Sequence, residues 1–376
     1  MTSSEARWPV GYHGLPERLG QLREPTKYDA SFFGVGKAQA GALDPQIRML
    51  LEVVYEAITD AGYSMADLVG SNTGVYIGGC FSDLHKAMLT NMTAGDGTGI
   101  SGYENTGCCF TMFANRVSFH FDFHGPSLSI DTACSSSLVA MDQAVRDLRS
   151  GRITRAIVGG VSLCTDPTVS KAFQQYSMLS PSGKCHSFDD RADGYVRADG
   201  IGAVLLELAE SSGGVHGVCC GLMEVLGTGT NCDGFKEKGI TFPSASQQAN
   251  LFESVFASNG LDATTVGYIE AHGTGTVAGD GVELTSIEQV FCGARESPVL
   301  VGSVKSNMGH AEGASGMMAV AKVAGILTEG NVPGNLHFQS SLNHPQLQSG
   351  VIAVVNTQQA VDMSVTSERG LVVVNN

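Results

Sequence analysis

Three residues far apart in the chain carry side chains that could do covalent chemistry together. Cys134 sits in Asp131-Thr132-Ala133-Cys134-Ser135-Ser136-Ser137, His272 in Glu270-Ala271-His272-Gly273-Thr274-Gly275-Thr276, and His310 in Lys305-Ser306-Asn307-Met308-Gly309-His310. Each follows a run that reads as a buried strand. A thiol can take an acyl group, and two imidazoles can grip a carbonyl oxygen. The trio points to carbon–carbon bond formation on thioesters. The attacking form of a cysteine is the thiolate, and the macrodipole at a helix N-terminus predicts a lowered thiol pKa. The Cys134 backbone N–H is a candidate oxyanion donor. His272 and His310, in Gly-rich turns, are expected to be neutral and to donate two N–H groups to the enolate left when a malonyl group loses carbon dioxide. The competing reading of Cys134 is a buried structural thiol. Its place at a strand-to-helix junction, with the two histidine turns, weighs against that.

Two charged residues flank His310. Lys305 and Glu312 are expected to form an ion pair that orients the histidines and adjusts their protonation; the plainer reading is a surface salt bridge worth little. Asp280 and Glu283 either anchor the His272 loop or begin a solvated helix. Two other runs imitate ligand loops and fail on spacing. Gly273-x-Gly275-x-x-x-Gly279 is not a dinucleotide fingerprint, and Ser182-Gly183-Lys184-Cys185 lacks the first glycine of a phosphate loop.

The elements that must position these groups alternate between strand and helix, the pattern of an α/β fold. Residues 44–60 read as a helix with Ile47, Leu50, Leu51, Val54 and Ile58 on one face, closed by Gly62. Residues 73–79 read as a buried strand, and 81–105 as a polar loop with a short helix. Residues 127–130 form a strand, 134–149 a helix and 156–161 a further strand, so the two strands should be parallel. Later come a strand at 266–271, a helix from about 281, a strand at 299–304 and a helix over 314–327. All three reactive side chains then lie at the C-terminal edge of a sheet, where ligands bind in open parallel sheets.

The 376 residues are 43% hydrophobic and 16% charged, ample for one large core or two fused halves. A net charge of −15 without long runs argues against nucleic acid or an anionic membrane surface as the main partner. The ten cysteines form no C-x-x-C pair and no zinc-finger spacing. No apolar leader opens the chain and no run of 18 apolar residues occurs, so a reducing, cytoplasmic setting is expected.

The motifs resemble the β-ketoacyl synthase (ketosynthase) family of the thiolase-like fold. The resemblance rests on Asp131–Ser137, Glu270–Thr276 and Lys305–His310 with Ala311-Glu312-Gly313-Ala314-Ser315-Gly316. Phe32-Phe33-Gly34, Leu43-Asp44-Pro45-Gln46, Met178-Leu179-Ser180-Pro181 and Ser187-Phe188-Asp189 add to it. Asn115-Arg116-Val117-Ser118 and Thr241-Phe242-Pro243-Ser244 look most like the ketosynthase of animal-type fatty acid synthases, with type I polyketide synthases close. The resemblance covers nearly the whole chain from about Arg7.

It implies a five-layer αβαβα arrangement of two similar halves, 1–240 with the nucleophile and 241–376 with the histidines, in a homodimer. It implies acyl transfer from a carrier-protein phosphopantetheine to Cys134, then decarboxylative condensation with malonyl-carrier. No cofactor or metal is implied on the chain itself; the partners implied are an acyl carrier protein and acyltransferase domains of a larger synthase. By the same resemblance, Met112 and Phe113 line the acyl pocket, and Thr274, Thr276 and Asn307 contact substrate. Gly281 stands where the family usually has proline, which loosens that turn. The family also has a strand and helix before the position of Met1 and a Gly-Phe-Gly-Gly turn after that of Asn376. The chain is therefore expected to be truncated at both ends, with weakened condensation when isolated. A non-catalytic dimerisation scaffold is the alternative. A cysteine hydrolase fits two histidines in Gly-rich turns poorly, and a thiolase would need a second cysteine as base.

Overall fold

The computed structural model describes residues 2–3, 7–9, 11–94, 102–209, 221–293, 295, 297–360 and 371–376. Two four-stranded sheets organise it. The first contains β1 (Thr73–Gly78), β2 (Ser127–Ile130), β3 (Arg155–Ser162) and β4 (Gly200–Glu207) in the order β2-β1-β3-β4. β1, β2 and β3 are parallel, and β4 runs antiparallel to β3. The second contains β5 (Val266–Glu270), β6 (Val299–Gly302), β7 (Ile352–Val354) and β8 (Leu371–Val374), all parallel in the order β7-β6-β5-β8. The strand–helix–strand run at 127–162 is parallel, but β1 lies between its two strands, so they are not neighbours.

Helices fill three layers around these sheets. α1 (Pro45–Asp60) begins at Asp44, whose carboxylate accepts the Gln46 N–H, with proline at the first helical position. It buries Ile47, Leu50, Leu51, Val54 and Ile58 on β3 and β4, next to Phe113, Ala114 and Val117 of a later helix. α2 (Asp83–Ala94) is a 12-residue helix where a loop with a short helix was expected. Tertiary ties override its weak pattern: the Asp83 carboxylate accepts the N–H groups of Thr165 and Asp166, each at 2.8 Å. α3 (Met112–Phe121) carries Phe113, and α4 (Ser136–Arg149) follows the cysteine. α4 starts two residues later than its apolar pattern suggested, which leaves Cys134 in the turn. α5 (Ala245–Ser258) and α6 (Asp280–Phe291) cover the outer face of the second sheet through Phe252, Phe256, Leu284, Ile287 and Phe291.

α7 (Ser315–Glu329) is apolar on more than one side because it is sandwiched. Met317 and Val320 pack with Tyr76, Val158 and the α4 residues Met141 and Val145, whereas Ile326 packs with Tyr268 of the second sheet. The layers are thus α1/α3, first sheet, α4/α7, second sheet and α5/α6. This is the expected five-layer αβαβα arrangement. Among the described residues, no helix is long and apolar enough to cross a membrane.

The middle layer is tight. A Cβ on Gly78 would come within 2.5 Å of the Ser136 carbonyl carbon and overlap the Ser137 backbone, so only glycine lets β1 end against the first turn of α4. Gly78→Ala is expected to destabilise the chain by about 3 kcal/mol in urea unfolding, the upper range for overpacking. A loss below about 0.5 kcal/mol would show that the helix moves aside freely.

Candidate active site

Cys134 is held by a turn of small polar groups. After β2, the Asp131 carboxylate accepts the Ala133 N–H at 3.0 Å, and Ser136 Oγ accepts the Thr132 N–H at 2.9 Å while donating to the Ala133 carbonyl at 2.6 Å. Ala133 takes φ +56°, a left-handed conformation that a non-glycine residue keeps only where its surroundings impose it. The Cys80 thiol adds a contact of 3.2 Å to the same carbonyl.

His272 leaves the C-terminal edge of β5. Its N–H and that of Gly273 are received by the two oxygens of Glu283, at 2.7 and 2.8 Å. Asp280 receives the Gly275 N–H at 3.1 Å and the Phe188 N–H at 2.7 Å. Both carboxylates are buried. Of the two readings, the loop anchor is the one observed; burial pushes Asp280 up to about 7. The His272 Nδ1 lies 3.0 Å from Asn376 Oδ1. That oxygen can only accept, so Nδ1 carries the proton and Nε2 keeps its lone pair.

His310 follows β6 and a single helical turn, Lys305–Met308. Its Nδ1 accepts the Glu312 backbone N–H at 2.9 Å, so its proton resides on Nε2. The histidines therefore offer one acceptor and one donor, not the two donors expected. Burial, then His272 and Lys305, hold His310 well below the usual histidine range, and burial and Lys305 push His272 down to about 3. Both rings are neutral near neutral pH.

The expected Lys305–Glu312 pair does not form. Glu312 Oε1 takes Arg197 Nε at 2.8 Å, and Lys305 Nζ donates to Asn376 Oδ1 at 3.0 Å, with Glu270 and Glu283 as its strongest anionic influences. Neither residue is at the surface: Lys305 is 1% and Glu312 3% exposed. Sequence reasoning missed Arg197, Ser315, Lys322 and Asn376. Ser315 Oγ donates to Asn376 Oδ1 at 2.6 Å, and Lys322 Nζ pairs with Glu270 at 2.7 Å behind the site. A lone lysine inside the apolar run of α7, and a lone arginine between Val196 and Ala198, were the available signals.

The Cys134 Sγ and one ring nitrogen each of His272 and His310 lie within 4.8 Å of one another. The thiol comes from the edge of one sheet and both imidazoles from the other. Three such donors invite comparison with a metal site, but His310 Nε2 carries its proton and presents no lone pair. The helix N-terminus does not prevail at the thiol: burial pushes Cys134 up to about 12, Glu312 adds to this, and Lys305 offsets part. Thr274 is buried beside Thr276, their hydroxyls 3.1 Å apart, and Asn307 donates to the Gly334 carbonyl at 3.2 Å. Phe113 is fully buried in the apolar cluster of α1 and the first sheet, with Met112 packed on it.

Parallel sheets in five layers with a Cys-His-His edge define the thiolase-like class. The model for the β-ketoacyl synthase N-terminal domain matches residues 7–212, and that for the C-terminal domain matches 222–339. The chain belongs to the β-ketoacyl synthase family. A fatty acid synthase from Anser anser anser is 44% identical over 330 residues, covering 88% of this chain and 91% of that sequence. Reducing polyketide synthase BOA6 from Botryotinia fuckeliana (strain B05.10) is 41% identical, covering 84% of this chain but 13% of that protein. The ketosynthase from module 6 of the bacillaene synthase of Bacillus subtilis 168 superposes with a TM-score of 0.85 at 32% identity, covering 94% of this chain and 60% of that one.

With the thiol at about 12, alkylation of Cys134 by iodoacetamide should rise about tenfold per pH unit from 7 to 9.5, because the thiolate fraction does. Peptide mapping would follow it. A plateau near pH 7 would mean that the helix N-terminus outweighs burial.

Proposed function

We propose that the chain catalyses decarboxylative Claisen condensation: an acyl-Cys134 thioester and a malonyl-carrier protein give β-ketoacyl-carrier protein and carbon dioxide. The supporting observation is the Cys134–His272–His310 cluster within 4.8 Å, with opposite tautomers on its two imidazoles. In the first step, Cys134 Sγ attacks the thioester carbonyl of an acyl group on a carrier's phosphopantetheine. The thiol proton passes to the lone pair of His272 Nε2 and on to the departing pantetheine sulfur. The Cys134 backbone N–H faces the oxyanion. In the second step, the malonyl group loses carbon dioxide, and its electron pair moves to the enolate oxygen held by His310 Nε2–H. The carbanion attacks the acyl-Cys134 carbonyl. The carbon–sulfur bond breaks, and the cysteine sulfur takes up a proton from solvent.

Lys305 and Glu312 act on this cluster from behind, Lys305 through Asn376 and by keeping His272 neutral. Met112 and Phe113 serve the acyl chain; Thr274, Thr276 and Asn307 serve the pantetheine and malonyl groups. The carrier and acyltransferase domains of a larger cytoplasmic synthase supply the substrates. A homodimer is supported by β2, whose outer edge is unpaired among the described residues, with Leu128 40% and nearby Phe119 76% exposed. Separate sheets at 73–207 and 266–374 support a division of the chain into halves 1–240 and 241–376.

Intact mass after incubation with a short acyl thioester tests the nucleophile. One acyl adduct is expected, absent in Cys134→Ala; no adduct on a folded chain would favour a scaffold. His310→Ala should lower malonyl decarboxylation at least about 100-fold, the scale of one lost oxyanion donor, while the acyl adduct still forms. Equal loss of both steps would overturn the division of labour between the histidines.

A further inference from the structure

Arg197 takes no part in the steps above, yet it grips the residue that sets the tautomer of His310. Its guanidinium is buried, 5% exposed, with Nε 2.8 Å from Glu312 Oε1 and Nη1 2.9 Å from Ser170 Oγ. The rings of Phe81 and Phe173 flank it at 5.9 and 5.6 Å. The backbone of the same segment holds His310 from the other side. The His310 N–H donates to the Val196 carbonyl at 2.7 Å, and the Ala198 N–H donates to the His310 carbonyl at 2.8 Å.

Glu312 sits at φ +44°, a left-handed conformation for a residue with a side chain. Such a conformation persists only where the surroundings over-determine it. Glu312 is also a buried carboxylate, which requires a counter-ion. Lys305 is committed to Asn376, so Arg197 meets that need. The strained residue in turn supplies the one N–H that occupies His310 Nδ1.

We propose that Arg197 is a positioning residue for the decarboxylation step: by holding the Glu312 carboxylate it keeps a strained turn in place, and that turn presents the N–H that confines the His310 proton to Nε2. This rests on the condensation reading above. The groups facing His310 are the Cys134 thiol, the His272 ring at 5.5 Å, the Tyr195 ring at 4.7 Å, Lys305, Arg197 and Glu312. Arg197 and Lys305 oppose protonation of the imidazole. Glu312 favours it, with Oε2 3.9 Å from Nδ1. With Arg197 removed, the turn relaxes and the carboxylate is free to accept an Nδ1–H. Proton uptake by His310 then moves to higher pH, and the enolate loses its donor in the active tautomer.

The test compares the full chain with Arg197→Gln, Arg197→Lys and the double variant Arg197→Gln/Glu312→Gly. Carbon dioxide release from malonyl-pantetheine is followed from pH 5 to 9, and His310 by ¹⁵N-histidine NMR. Arg197→Gln should lower kcat at least tenfold at pH 6 with KM within twofold, shift the acidic limb up by a unit or more, and populate Nδ1–H. Arg197→Lys should keep most activity. Glu312→Gly should restore the Gln variant, because glycine adopts the positive φ freely and retains the N–H. A folded Arg197→Gln with an unchanged limb and unchanged NMR would overturn the proposal. So would a double variant that regains thermal stability without regaining the tautomer. If Arg197→Gln does not fold, the lysine and double variants carry the comparison. A wild type that neither acylates nor decarboxylates would sink the condensation reading alone, since the NMR still judges Arg197.

Discussion

One amide joins the two sheets at the point where the chemistry converges. Asn376, just beyond β8, receives hydrogen bonds on Oδ1 from His272, Lys305 and Ser315, and its NH₂ group reaches the Cys134 carbonyl. Three donors on one oxygen leave no choice of tautomer for His272. The NH₂ contact fixes the nucleophile's peptide relative to both imidazoles. The neighbouring Asn375 binds Glu283, the carboxylate that holds the His272 turn, at 2.6 Å. The site is thus positioned by polar groups that satisfy one another in a largely buried setting, where an unpartnered group would cost several kcal/mol.

Burial decides the resting state. Burial is the largest influence on the thiol, on both histidines and on Lys305. It favours the uncharged form of each, and it outweighs the fields of the nearby charges. Neutral imidazoles are the useful form here, because each keeps one N–H and one lone pair. Two ion pairs stand one layer back: Glu270 with Lys322, and Glu312 with Arg197.

Much of this was legible in the sequence. The 3.6-residue repeat gave α1 its buried face residue by residue, and the apolar run at 73–79 gave β1. The three reactive residues stood out because each ends a strand-like run in a turn of small residues. Other features depend on contacts that local pattern does not encode. Helix 83–94 is tied through Asp83 to Thr165 and Asp166, 82 and 83 residues away. β1 inserts between two strands that are consecutive in sequence. The partner of Glu312 is Arg197, 115 residues away, whereas Lys305 only looked adjacent. The state of the thiol followed burial, which spacing does not report, and not the helix N-terminus, which it does.

The shared helix α7 has a consequence for how the molecule comes apart. It packs on the first sheet through Met317 and Val320 and on the second through Ile326, and its first residue, Ser315, binds Asn376. Neither sheet can lose its inner cover without exposing the other. Partial unfolding that frees one sheet alone is therefore penalised by the apolar surface bared on the other.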